Sequence, residues 1–195
     1  MTMIVDGDSS PMPLLSVVQV VGRTILAGRL AGQGDCPLLV AAARQVPGGS
    51  PFVLDLAGVE VISASYFSAA LWPLWSLNEP EVYPVLANIP ADGVDDILLV
   101  LKDQNAAVWR ERSALPRGHA PELLGTLDPP LKTTLQFVLE KGEATAADLF
   151  ESDRTIGVTA WSNRLAALYQ IRILRRRKDG RRLIYAPSWK EQYHG

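Results

Sequence analysis

Residues 142–187 read GEATAADLFESDRTIGVTAWSNRLAALYQIRILRRRKDGRRLIYAP, and they predict a short capped helix, a second amphipathic helix and a two-strand ribbon with a cationic tip. Thr145 followed by Asp148 is a capping-box pattern, in which side chain and backbone at a helix start satisfy each other's free amides. The helix it opens is expected to bury Leu149 and Phe150. Beyond Gly157, the residues Trp161, Leu165 and Leu168 recur about one turn apart. That apolar stripe makes Trp161 a core residue rather than a base-stacking platform. The opposite face carries Thr159, Ser162, Asn163 and Ala166, with Arg164 at its edge. These small or hydrogen-bonding side chains can approach base edges in a major groove. Asp179-Gly180 predicts a two-residue hairpin turn, because both central positions of such a turn need positive φ. Around it stand Arg175, Arg176, Arg177, Lys178, Arg181 and Arg182. Like charges this dense repel one another, an arrangement that a phosphate backbone would neutralise.

Working outward, Asp128-Pro129-Pro130 is a helix start. An aspartate at the cap can accept from the free amides of the first turn, and proline fits the first helical position. Leu131, Leu135, Val138 and Leu139 follow at helical spacing, and Gly142 ends the helix. TAADL, WSNRLAAL and LRRRKDGRRLIY together resemble the winged helix-turn-helix of the MarR and ArsR kinds of bacterial regulators, over about residues 128–187. The resemblance implies a small α+β domain that binds duplex DNA. Thr159, Ser162, Asn163 and Arg164 would meet base edges, and Arg175, Arg176, Arg177, Lys178, Arg181 and Arg182 would straddle phosphates or reach the minor groove. One winged helix reads only a short half-site, so a homodimer is expected as well. Metal sensors of the ArsR kind use Cys or His ligands, and Cys36 lies outside this domain. The competing reading is a protein-interaction module whose arginines merely solvate a surface.

Charge is divided along the chain in the same sense. Residues 1–127 hold 7 Lys/Arg against 13 Asp/Glu, a balance of −6, whereas residues 128–195 hold 12 against 8, a balance of +4. Only the carboxyl-terminal part suits a polyanion. The expected organisation is a domain over 1–112, a Pro/Gly-containing linker over 113–127 and the winged helix over 128–195. Hydrophobic residues make up 48% and charged residues 21%, ordinary values for a chain that buries a core. No apolar run approaches the roughly 18 residues of a membrane helix. MTMIVDGDSSP has acidic residues where a signal peptide carries positive charge. A cytoplasmic protein without a membrane partner is expected.

In the amino-terminal part, Leu15–Val21 and Thr24–Leu30 read as strands and Cys36–Val46 as a helix closed by Pro47-Gly48-Gly49. Phe52–Leu56 reads as a buried strand, Ser63–Leu77 as an apolar helix, Val82–Asn88 as a strand and Val94–Lys102 as an amphipathic helix. Strands alternating with helices imply an α/β layer. FVLDLAGVEVISASYFSAALWPLW, with VYPVLANIPADGVDDILLVL after it, resembles the central part of STAS domains, the fold of anti-sigma factor antagonists, over about residues 50–102. The resemblance implies a mixed sheet with helices and a serine switch at the start of the Ser63–Leu77 helix. The family's Asp-Ser-Ser-Gly falls on Ser63, Ala64, Ser65 and Tyr66, so the usual acceptor position is Ala64. Ser63 and Ser65 are then a phosphorylation or partner site, or simply caps of the helix.

A catalytic constellation is absent from this reading. Cys36 is the single cysteine, and the two histidines, His119 and His194, lie in a Pro/Gly-flanked stretch and in the tail. Neither supports a nucleophile with a base and an acid, or a Cys-based zinc site. Gly28, Gly32 and Gly34 fit neither a dinucleotide loop nor a P-loop, and Asp95-Asp96 opens a helix as a dipole-complementing pair. No enzyme, metal or cofactor is expected, and the tryptophans of the Trp72–Trp75 region read as core or interface. The expected function is a DNA-binding transcription regulator whose STAS-like domain receives a signal or protein partner. The alternative is a protein-interaction adaptor in a partner-switching circuit, docking on a kinase-like ATPase through Ser63–Tyr66.

Overall fold

Phe52 and Leu54 on one side of a strand and Val53 on the other are all buried, so both faces of the sheet that holds them are covered. A computed structural model describes residues 12–79, 81–111 and 120–190 and shows what covers each face. In chain order the elements are β1 (Leu14–Ser16), α1 (Val17–Val21), β2 (Ile25–Leu26), α2 (Arg29–Ala43), β3 (Pro51–Asp55), β4 (Val61–Ile62) and α3 (Ala64–Tyr66). α3 runs on through a π-helical turn, Phe67–Leu71, and a 3-10 turn, Trp72–Ser76. Next come β5 (Tyr83–Ala87), α4 (Gly93–Asp103), β6 (Ala107–Arg110) and β7 (Glu122–Gly125). The remaining elements are α5 (Pro129–Lys141), α6 (Ala146–Ser152), α7 (Val158–Gln170), β8 (Leu174–Asp179) and β9 (Arg182–Pro187). The result is a mixed α/β fold.

The main sheet has the order β1-β3-β5-β6-β7, parallel except for the antiparallel β6–β7 pair. Parallel crossovers are right-handed, and an order that only advances puts every connecting helix on one face. Leu15, Phe52, Leu54, Leu86, Val108 and Leu124 duly pack with Leu39 and Ala43 of α2, Phe67 and Leu71, and Ile97 and Leu101 of α4. The other face would be bare. Instead Val85, Ala107 and Trp109 share a second core with Leu135 and Val138 of α5, Leu149 of α6, and Trp161, Leu165 and Leu168 of α7. The carboxyl-terminal unit is thus the second lid of the sheet.

Several expectations are corrected. Of Leu15–Val21 only β1 is strand; Ser16 then caps α1 by accepting from the Gln19 amide, and Gly22 closes it at φ +72. These two local signals outweigh the β preference of the valines between them. Thr24–Leu30 shrinks to the two residues of β2, paired in parallel with β4. α2 begins seven residues before Cys36, running through Gly32, Gly34 and Pro37. Packing overrides propensity here: a Cβ on Gly32 would stand 3.0 Å from the Tyr66 carbonyl oxygen and 3.0 Å from the Ala69 Cβ. Overpacking of roughly 1–3 kcal/mol works against a helix-propensity gain of about 1 kcal/mol for Gly32→Ala, so a net loss of up to about 2 kcal/mol is expected, read from the urea midpoint.

Within the stretch 113–127 expected to be a linker, Glu122–Gly125 is β7, while residues 113–119, His119 among them, lie outside the described residues, as does His194. The strands β6 and β7 were not foreseen. Asp128 holds the cap position of α5, but its side chain makes no cap hydrogen bond. The buried stripe of α5 is Thr134, Leu135 and Val138, with Leu139 turned outward. The capping box of α6 is formed as expected: the Asp148 carboxylate accepts from the Thr145 amide at 2.8 Å and the Thr145 hydroxyl accepts from the Asp148 amide at 3.2 Å.

Candidate nucleic-acid interface

α7 buries Trp161, Leu165 and Leu168 and turns its other side out. Thr159 and Asn163 are exposed, and Ser162 and Arg164 are half-buried. The Arg164 guanidinium lies over the Trp161 ring, 5.3 Å from its centroid, so this side chain is folded back onto the helix. It also sits near Asp153, whose carboxyl is held below the usual range mainly by hydrogen bonds from the Thr155 hydroxyl and amide.

The hairpin that follows pairs Asp179 with Arg182, so the central turn residues are Gly180 and Arg181, one position later than expected. Gly180 takes φ +57, which a Cβ would disfavour. Strand alternation then sorts the six cations. Arg175 and Arg177 share a face, where the Arg177 guanidinium donates to both oxygens of Glu143 at 3.0 and 3.2 Å. Arg176, on the other face, lies 4.2 Å from the centroid of the Tyr169 ring. The mutual repulsion foreseen for the ribbon is therefore relieved within the protein for part of the set. Lys178, Arg181 and Arg182 stand exposed at the tip.

Two of these tip residues, Arg181 and Arg182, meet the helix face in one place, whereas Lys178, Thr159, Asn163 and Arg164 do not line it. An open groove runs between the start of α6, α7 and β9, and Ser162, Arg181 and Arg182 line it together with Thr145, Ala147, Asp148 and Tyr185. Asp148 brings a negative charge into it. Hydrogen bonds from the Thr145 amide and hydroxyl hold its carboxyl below the ordinary range, with Lys141 and Arg182 adding to the effect. The structure gathers Ser162 with Arg181 and Arg182 and leaves Arg175, Arg176 and Arg177 nearer the base of the ribbon.

At the other predicted site, Ser63 is the cap of α3: its Oγ accepts from the Tyr66 amide at 3.3 Å and the Gly28 amide at 3.2 Å. Ser65 Oγ is 3.2 Å from it. Tyr66 is buried and donates its hydroxyl to Asp35 at 2.6 Å, while Asp35 is ion-paired with Arg23. Burial, and then the Asp35 carboxylate, push the Tyr66 phenol well above its usual range. Ser63 thus caps α3 and also ties the Gly28 amide to the same turn.

Residues that sequence reasoning passed over join the sheet to the carboxyl-terminal unit. The Trp109 Nε1–H donates to the Ile173 carbonyl at 2.9 Å, and its ring meets Trp189 edge-on with centroids 6.3 Å apart. Arg172, 5% exposed, donates to the carbonyls of Trp75 at 3.3 Å and Leu77 at 2.8 Å and to Asn78 Oδ1 at 2.6 Å, and is ion-paired with Glu81. One signal was available: Arg172 is a lone charge between Ile171 and Ile173, where apolar neighbours on both sides imply burial and hence a partner.

Among the described residues no helix is long and apolar enough to cross a membrane, and no group of three or more His, Cys, Asp or Glu side chains is placed to hold a metal ion. No protein-family model, no curated protein and no solved structure matches the chain.

Proposed function

We propose that the chain is a DNA-binding transcription regulator. Its carboxyl-terminal unit acts as a winged helix-turn-helix on duplex DNA, and its STAS-like α/β part receives a signal or a protein partner. The observation that carries this reading is the open groove shared by Ser162 of α7 and the exposed tip residues Arg181 and Arg182. A helix face of small polar side chains beside mobile-length cations is what a duplex needs from a reader: base edges for the helix, phosphates for the tip. Thr159 and Asn163 extend the same face, and Lys178 extends the tip. Thr159 and Asn163, both exposed, stand on the side of α7 opposite the buried Trp161, Leu165 and Leu168. A homodimer would supply the second half-site.

The test is a salt titration of binding to random duplex DNA by the full chain. Each phosphate neutralised contributes about −0.9 to the slope of log K against log salt. Replacing Lys178, Arg181 and Arg182 together by alanine should flatten that slope by up to about 2.7. The Arg177→Ala change, at a residue already paired with Glu143, should move it far less. An unchanged slope in the triple variant sinks the assignment of the tip, and no binding at low salt sinks the regulator reading.

A further inference from the structure

We infer that the outer face of α2 is an interface with a second copy of this chain, two α2 helices packing antiparallel across a two-fold axis at Gly34. The face lies on the α2 side of the sheet, away from the groove between α6, α7 and β9, so nothing in it rests on the DNA-binding reading.

α2 is apolar on two sides. Its buried stripe, Gly32, Asp35, Leu39 and Ala43, points into the α/β core. At 3.6 residues per turn, Leu30, Gly34, Pro37, Leu38 and Ala41 fall within an arc of about 100° on the opposite side, and all five are exposed. Leu30 is 84% exposed, the most of any large apolar side chain among the described residues, and Leu38 is 52% exposed. Between Arg29 and Arg44 the one charged residue is Asp35, which is buried and ion-paired with Arg23. Of the exposed residues between the two arginines only Gln33 is polar. A surface helix ordinarily turns charges outward, and a helix apolar all round is a buried one.

The residues of this face suit a copy of themselves. Gly34 and Pro37 are the poorest helix formers, and both stand on the solvent side. A Cβ on Gly34 would meet nothing within 4 Å, so no contact inside the chain explains the glycine. A second helix in close approach does explain it, because the missing Cβ leaves a notch. Leu30 and Leu38 stand four residues to either side of that notch. Rotation about Gly34 therefore sets each Leu30 beside the partner's Leu38 and turns the two notches face to face. That is the self-complementarity a two-fold interface requires. Pro37 has no amide to return to the Gln33 carbonyl, so this acceptor beside the notch lacks its ordinary helical donor. The same rotation brings the two Gln33 side chains to one flank, where each amide can serve the other copy's carbonyl. The uncharged face is about 20 Å long and one helix wide, below the standard size of a stable interface, so the pair is a weak one.

Sedimentation velocity on the full chain, from about 5 µM to about 1 mM, tests the pair, and the parent should pass from monomer to dimer within that range. Leu30→Lys, at an exposed site, should keep the parent's circular dichroism and raise the dissociation constant by about tenfold or more. Adding Leu38→Glu should recover about threefold or more of that loss, because the antiparallel register sets the new lysine beside the new glutamate, and high salt should erase the recovery. Gly34→Ala separates the helix from the interface. It should raise the urea midpoint of the monomer, as helix propensity dictates, and yet weaken the dimer about tenfold. A parent that stays monomeric at the highest concentration overturns the inference, and so does a dimer that Leu30→Lys leaves unchanged. A double variant no tighter than Leu30→Lys overturns the register, and a Gly34→Ala dimer as tight as the parent overturns the close approach. Failure of the parent to bind DNA would sink the regulator reading and leave this interface standing.

Discussion

Trp161→Ala is expected to lower the unfolding free energy by roughly 3–5 kcal/mol, the range for emptying a fully buried aromatic site. Trp161 is 0% exposed and is the largest of the fully buried side chains. Its ring meets Phe137 of α5 edge-on at 5.7 Å, carries Arg164 on its face and donates its Nε1–H to the Asp153 carbonyl at 3.3 Å. One substitution therefore opens a cavity between α5 and α7, removes an aromatic pair and frees the carbonyl that closes α6. The hydrogen bond is the smaller part, about 1 kcal/mol for a neutral pair. Trp161→Phe, which keeps most of the ring, should recover more than half of the loss. Urea unfolding followed by far-UV circular dichroism reads all three proteins. A loss under about 1 kcal/mol in the alanine variant would place Trp161 outside the core.

A loss of similar size, again roughly 3–5 kcal/mol, is expected for Trp109→Ala, with a different signature. Trp109 belongs to β6 of the sheet yet packs within the carboxyl-terminal core. Its indole bonds the Ile173 carbonyl and meets Trp189, so it spans the seam rather than either lid. The parent protein should unfold in one transition, because the seam is apolar and shared. The variant should unfold in two, with α5, α6 and α7 parting from the sheet before the sheet itself melts. Two probes check this, near-UV signal from the remaining tryptophans and far-UV signal from the backbone. Coincident transitions in the variant would mean that the seam is held by Arg172 and its partners without help from Trp109.

How far the fold could be read in advance followed from where its causes lie. The carboxyl-terminal helices were legible because their signals are local: the Thr145–Asp148 capping box, the one-turn recurrence of Trp161, Leu165 and Leu168, and the stop at Gly142. β3, β5 and α4 were legible for the same reason, as short apolar runs between breakers. α2 was half hidden because Gly32, Gly34 and Pro37 argue against a helix, and only contact with Tyr66 and Ala69 explains Gly32. β6 went unseen because a four-residue strand buried over most of its length has no alternation to detect, and β7 because its short, half-buried run lies in a stretch punctuated by proline and glycine. At the candidate interface the residue types were legible, but their allocation was not. Arg177 is drawn to Glu143 and Arg176 to Tyr169 by partners 34 and 7 residues away in sequence, and no period announces such pairings. Glu81 and Arg172 are 91 residues apart, beyond the reach of any local pattern.

The one-way strand order has a consequence for how the chain comes into being. Translation delivers β6, and with it the last parallel strand, at residue 110, whereas β9 is complete only at residue 187. At about 5–20 residues per second, the 77 residues between them take roughly 4–15 s. Val53, Tyr83, Val85 and Trp109 form an oily wall whose cover arrives piece by piece, α5 complete at residue 141, α7 at residue 170 and β9 last. The helices and hairpin that arrive last act first as the plaster on that wall, before they meet anything else.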